Sequence, residues 1–210
     1  MTISASQVKE LREKTGAGMM DCKRALEEAK GDMEEAIRIL REKGMAAAER
    51  KAGRRASEGL VDAYIHHGNR VGALIEVNCE TDFVARTEDF RNFVRDLAMQ
   101  VAAANPRWVR REDIPPEVLE QEKELLRRQA LQEGKPENVV ERMVEGRLNK
   151  YLSEVCLEEQ PFIRDPDVTV GELVKQTVAR VGENVRINRF ARFELGVHED
   201  APEADGSDSA

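Results

Sequence analysis

Apolar positions in the first 44 residues recur at intervals of three and four, which predicts three short helices. Ser4 and Gln7 have the spacing of a capping box, and Val8 and Leu11 face one side of a helix reaching about Lys14. Gly16 and Gly18 interrupt the chain. Cys22, Ala25, Leu26 and Ala29 form the stripe of a second helix, with Gly31 just past its end. Asp32, with Glu35 three residues on, caps a third helix whose stripe is Met33, Ala36, Ile37 and Leu40 and which ends at Gly44. Three helices of this size stand near the lower limit for independent folding.

After a connector, residues 45–56, the period falls to two. In the connector Arg50, Lys51, Arg54 and Arg55 outnumber Glu49. Such a run is either a solvated face or a surface that steers a partner. Residues 59–66 (GLVDAYIH) alternate as a strand, His67-Gly68-Asn69 gives a tight turn, and residues 70–78 (RVGALIEVN) supply the partner strand. Residues 80–86 are an irregular link. Thr87 then caps a helix with Glu88 and Asp89 in its first turn and Phe90, Phe93, Val94, Leu97 and Val101 inward. Asn105-Pro106 stops it.

Two more helices follow, one over about 117–133 and one from Pro136 to about Cys156, the latter with Val139, Val140, Met143, Leu148, Leu152 and Val155 as its apolar positions. Gln160-Pro161-Phe162 reads as a turn. Thr169 and Glu172 form another capping box, Leu173, Val174 and Val178 supply an inner face, and Gly182 ends that helix. Residues 184–195 (NVRINRFARFEL) alternate as a third strand, burying Val185, Ile187 and either Phe190 or Phe193. The expected fold class is α+β: an N-terminal three-helix domain, then a core with a three-stranded antiparallel sheet packed by helices.

Composition narrows the function. The 210 residues are 35% charged and only 4% aromatic, which suits helices with long solvated faces and aliphatic packing. No apolar run is long enough for a membrane span, and the N-terminus lacks the pattern of a secretory signal. Cys22, Cys79 and Cys156 are far apart with no C-x-x-C pair, as expected for reduced thiols in a cytoplasmic protein. The net charge of −8 is concentrated at the end of the chain. Residues 197–210 carry Glu199, Asp200, Glu203, Asp205 and Asp208 without a Lys or Arg, and read as a disordered acidic tail. The rest is nearly balanced, so direct nucleic-acid binding is not expected.

Catalytic chemistry is missing from the pattern. There is no G-x-x-x-x-G-K-[ST], and Thr15-Gly16-Ala17-Gly18 has no strand before it. The neighbours His66 and His67 would point to opposite faces of a strand, a poor arrangement for one metal ion. No acid–base constellation stands out. The chain is therefore read as a non-enzyme with no cofactor and no metal site.

Two long segments carry a family resemblance. Residues 11–23 (LREKTGAGMMDCK) and residues 76–86 (EVNCETDFVAR) resemble the two signatures of elongation factor Ts. Glu145-Gly146-Arg147, Gln160-Pro161-Phe162 and residues 192–196 (RFELG) match it further, so the resemblance covers about residues 4–196. It implies a ubiquitin-associated-like domain over 1–44, the connector over 45–56, an exchange and dimerisation core over 57–196, and the tail over 197–210. It implies a guanine-nucleotide exchange factor that binds elongation factor Tu with GDP and displaces magnesium and GDP. The partner contacts it implies are Thr81, Asp82, Phe83 and Val84 in the second signature, Arg12, Met19, Met20 and Lys23 in the first, and Lys51 in the connector. The chain departs from the longer family form, which has a second copy of the core and an inserted coiled coil. A short member resembles the homodimeric forms, with the third strand as a dimer surface. Ala191 lies between Phe190 and Arg192 and so leaves no disulfide to lock such a dimer.

The residues themselves leave alternatives open. Met19 and Met20 either cover the small helical core or offer adaptable thioethers to a partner. Phe83 is seven residues before Phe90 and would be core on one continuous helix. If Thr87 begins a new helix, Phe83 sits instead on a separate turn flanked by Asp82 and Arg86, as an interface anchor would. A rival to exchange activity is a ubiquitin-associated-type adaptor that works through residues 1–44 alone.

Overall fold

A computed structural model describes residues 3–134 and 136–197. The acidic tail expected over 197–210 lies, from residue 198 on, outside the described residues. Among the described residues, eight α-helices and a three-stranded antiparallel sheet make an α+β protein, as the pattern predicts.

The N-terminal helices are α1 (Ala5–Thr15), α2 (Met19–Glu28) and α3 (Met33–Lys51). Local caps define their ends. The Ser4 hydroxyl accepts from the Gln7 amide while Gln7 Oε1 accepts from the Ser4 amide, and Asp32 Oδ1 accepts from the Glu35 amide. Val8, Leu11, Cys22, Ala25, Leu26, Ala29, Ala36 and Ile39 close a small core of their own. Met33, Ile37 and Leu40 pack at its margin.

The expected stop at Gly44 does not occur: α3 continues to Lys51 and absorbs part of the connector. Gly44 serves packing instead. A Cβ there would lie 3.1 Å from Ala179 Cβ, so the bare backbone lets α3 lie close against α8 (Val170–Val181). Arg41 Nη2 adds an ion pair to Glu172 at 2.8 Å across the same contact.

Strands β1 (Glu58–Ile65), β2 (Val71–Cys79) and β5 (Val185–Glu194) form the sheet, with β2 central. The β1–β2 turn closes through Asn69 N to His66 O, with Gly68 and Asn69 both at positive φ. On one face Ala73, Ile75, Val77, Cys79, Val185 and Ile187 meet Phe90, Val94, Leu97, Ala98 and Val101 of α5 (Glu88–Ala104). This is the main core, completed by Val170, Val174 and Val178 of α8.

Pairing of β2 with β5 shifts register between Glu76 and Val77, leaving Asn188 as an extra residue. The bulge reverses which face the later side chains take. Val185 and Ile187 point inward before it, whereas Phe190, not Phe193, packs against the core after it. Phe193 is 72% exposed.

Helices α6 (Pro116–Gln132) and α7 (Glu137–Val155) pair through Leu126, Ala130, Val140 and Val144. The expected turn at 160–162 is part of a small hairpin, β3 (Pro161–Phe162) with β4 (Asp165–Thr169). Gln160 is buried and holds this region together. Its Nε2 donates to Ala104 O at 3.3 Å and Glu154 O at 2.7 Å, and its Oε1 accepts from Gln100 Nε2 at 3.1 Å. One amide thereby satisfies carbonyls near the ends of α5 and α7, which burial would otherwise leave unpaired.

Candidate functional site

The chain leaves β2 at Cys79 and enters α4 (Asp82–Ala85), a single turn that ends before Thr87 opens α5. Thr87 Oγ1 accepts from the Phe90 amide at 3.3 Å, so α5 has its own start. The link expected to be irregular over 80–86 therefore contains one helical turn. The break between α4 and α5 decides the fate of Phe83. Its ring is 79% exposed, the most exposed large apolar side chain described. Arg86 Nη2 pairs with Asp82 Oδ2 at 2.8 Å beside it.

The four expected contact residues of this segment divide. Asp82 is half-buried and Phe83 exposed. Val84 is buried and packs in the main core with Ala85, so its side chain seats the tip rather than facing outward. Thr81 is half-buried with its polar groups occupied. Its amide donates to Glu183 Oε2 at 3.0 Å, its hydroxyl donates to Glu183 Oε1 at 2.6 Å, and its carbonyl accepts from Cys79 Sγ at 3.1 Å. Burial, and then the charge of Glu183, pushes the Cys79 thiol up to about 11, so it stays protonated and can donate.

The residues of the first signature lie on the helical unit. Met19 and Met20 open α2 and are 58% and 63% exposed, while the α2 core is supplied by Cys22, Ala25 and Leu26. Lys23 is exposed on the same helix, 3.8 Å from Glu27. Arg12 is exposed and lines an open cleft with Lys9, Lys14 and Arg180, beside Glu13 and Asp89. Lys51 is the last residue of α3 and half-buried. The cleft at Arg12 does not include the other expected contact residues. They are surface positions distributed over the helical unit and the tip, as a protein-docking surface would be. Glu183 and Asn184, which bond to Thr81 and to the end of α3, carry no sequence signal for those contacts. Their partners are about a hundred or more residues away, and no local pattern announces them.

A three-helix unit packed on an α+β core, with an aromatic tip at a strand exit, is the class of protein that the fold and these positions define. The chain belongs to the elongation factor Ts family and so to the translation elongation factors of protein biosynthesis. The family model for elongation factor Ts matches residues 2–197. The chain is similar to the elongation factor Ts of Carboxydothermus hydrogenoformans, at 67% identity over 92% of this chain and 89% of that protein. It is 66% identical to that of Caldanaerobacter subterraneus, over 92% of this chain and 97% of the relative. The Heliobacterium modesticaldum protein is 61% identical over 92% and 90%.

Proposed function

We propose that the protein is a guanine-nucleotide exchange factor for elongation factor Tu in the cytoplasm. The observation that carries this is Phe83, a large apolar ring left in solvent on a turn whose neighbours Val84 and Ala85 are buried. An exposed aromatic on a backbone anchored in this way loses little conformational freedom on binding, which is what an interface anchor requires. Phe83 and Asp82 insert beside the magnesium and phosphate site of the partner, with Met19, Met20, Arg12, Lys23 and Lys51 as further contacts. Residues 1–44 act as a docking domain, 45–56 as connector and 57–196 as the exchange core.

Nucleotide affinity in such a partner depends on magnesium bridging the phosphates and on backbone groups cradling them. A wedge that moves those elements weakens both. Coupling is reciprocal: the factor weakens nucleotide binding by the same ratio as nucleotide weakens the factor, so GTP in excess releases it. The protein itself makes and breaks no bond. The test is release of a fluorescent GDP analogue from elongation factor Tu. Acceleration by this protein is expected, and tight binding that excess nucleotide fails to weaken sinks the exchange role.

We further propose that the core forms homodimers through the outer sheet face. There Ile65, Gly72 and Phe193 are paired neighbours, as are Ala63, Leu74 and Ala191, with Val61 and Leu195 alongside. Ile65, Leu74, Phe193, Val61 and Leu195 are all exposed, an apolar patch unusual for a monomer surface.

A further inference from the structure

We infer that Glu183 and Asn184, in the turn between α8 and β5, are positioning residues that hold the Phe83 tip in register with the end of α3. The inference rests on the exchange role proposed above and assigns that role two residues outside both signature segments.

The tip cannot hold itself. Helix α4 has only four residues, and a single turn does not repay the cost of its own nucleation. Its cap is weak, since the Val84 amide reaches Thr81 Oγ1 at 3.5 Å. Apolar anchoring comes from Val84 and Ala85 alone. Besides the Cys79 thiol at the Thr81 carbonyl, the start of the turn is held by one carboxylate 102 residues away in sequence. Glu183 accepts from both donors of Thr81, at 3.0 and 2.6 Å. Hydrogen bonds to an ionised acceptor are the stronger kind, and two from one residue fix orientation as well as distance.

The adjacent residue turns the other way. Asn184 is 5% exposed. Its Nδ2 donates to Ala52 O at 3.3 Å and to Arg54 O at 2.7 Å, and Ala52 is the C-cap of α3, next to Lys51. The Asn184 amide donates to Glu80 Oε1 at 2.6 Å, and Arg54 Nη1 lies 3.6 Å from that same oxygen. Gly182, at φ 79, caps α8 and swings this dipeptide into place. Two neighbouring side chains thus join the tip on one side to the end of the α3 helix on the other. The relative placement of Phe83 and Lys51 passes through them.

The test is a double-mutant cycle with Glu183→Ala and Phe83→Ala, reading GDP release from elongation factor Tu at saturating factor. Misplacing a positioned group costs on the order of tenfold to a hundredfold. Glu183→Ala is expected to lower the maximal rate by about tenfold in the native background, and by less than about twofold once Phe83 is already alanine. Thr81→Val keeps the shape but removes the hydroxyl donor. It is expected to show the same dependence on Phe83 and serves if Glu183→Ala folds poorly. Glu183→Gln, retaining one acceptor, is expected to fall between. Equal losses in both backgrounds, or full activity in Glu183→Ala and Thr81→Val, overturn the inference. Amide hydrogen exchange in the free protein separates this from the exchange role. Glu183→Ala is expected to speed exchange at residues 81–86, and Asn184→Ala at 52–54. Unchanged protection overturns the positioning role, whereas a native protein that leaves GDP release unaltered defeats the exchange role instead.

Discussion

Phe83 and Phe90 stand seven residues apart in sequence, yet the Phe83 ring is 79% exposed and Phe90 is fully buried beneath the sheet. On one continuous helix they would share a face. The cap at Thr87 separates them, so the same residue type serves as surface tip in one place and as core in the other.

The two alanine substitutions should therefore part company. Phe90→Ala removes a fully buried ring from the main core and is expected to cost about 3–5 kcal/mol of stability. Phe83→Ala removes a ring that the folded chain does not bury, and its stability change is expected to stay within about 0.5 kcal/mol. Stimulated GDP release should show the reverse order, with Phe83→Ala lowering it by roughly tenfold or more, as for an interface anchor. Urea unfolding and nucleotide-release kinetics on both variants decide this. A Phe83→Ala protein that folds normally and exchanges normally removes the wedge.

Much of the fold was legible because its determinants are local. The Ser4–Gln7 and Thr169–Glu172 boxes and the stripes of α2 and α5 all lie within a few residues of what they control. What was not legible depends on contacts between distant segments. Gly44 reads as a helix stop and becomes a close contact only because Ala179 lies opposite. Phe190 and Phe193 cannot be told apart until the Asn188 bulge sets the phase of β5. The exposure of Phe83 hinges on whether α4 and α5 join, and the residues that hold α4 in place come from the far end of the core.

Gly59 offers a backbone test of the sheet. It lies at φ 143, opposite Asn78, where a Cβ would approach Val77 O to 2.1 Å. No side-chain adjustment relieves a clash with a central-strand carbonyl. Gly59→Ala is expected to cost on the order of 2–4 kcal/mol by prying β1 from β2. The measurement is thermal unfolding, with Gly53→Ala as the control, since nothing lies within 4 Å of the position its Cβ would take. Equal melting temperatures for the two variants contradict the close approach.

The buried thiols make stability fall at alkaline pH. Burial pushes Cys79 and Cys156 from an ordinary 9.0 up to about 11, with Glu183 adding to the shift at Cys79 and Glu159 at Cys156. The folded state favours the protonated thiols over what the unfolded chain would hold. Their contribution is therefore complete below pH 9 and is lost as pH rises toward 11. Melting temperatures between pH 8 and 11 should decline more steeply for the native protein than for a Cys79→Ala, Cys156→Ala variant. In the folded protein at pH 8, a thiol reagent should modify these sites far more slowly than in denaturant.

The outer sheet face makes the last prediction. Exposed apolar side chains at Ile65, Leu74 and Phe193 surround Gly72, Ala63 and Ala191, whose small size leaves a shallow trough between them. At the other end of the same face Arg189 pairs with Glu76, whose carboxyl the Arg189 hydrogen bond holds below its ordinary range. A patch that is apolar at one end and charged at the other suits a second copy turned about a two-fold axis, since a two-fold interface brings each residue against the same surface that contains it. Phe193→Glu places a charge in the trough and is expected to halve the mass measured by light scattering, with little change in the secondary structure of the subunit. Arg95→Glu, exposed on α5 on the opposite side of the sheet, is expected to leave the mass near that of the native protein. If the native protein has the mass of one chain at micromolar concentration, the face serves something other than a second copy.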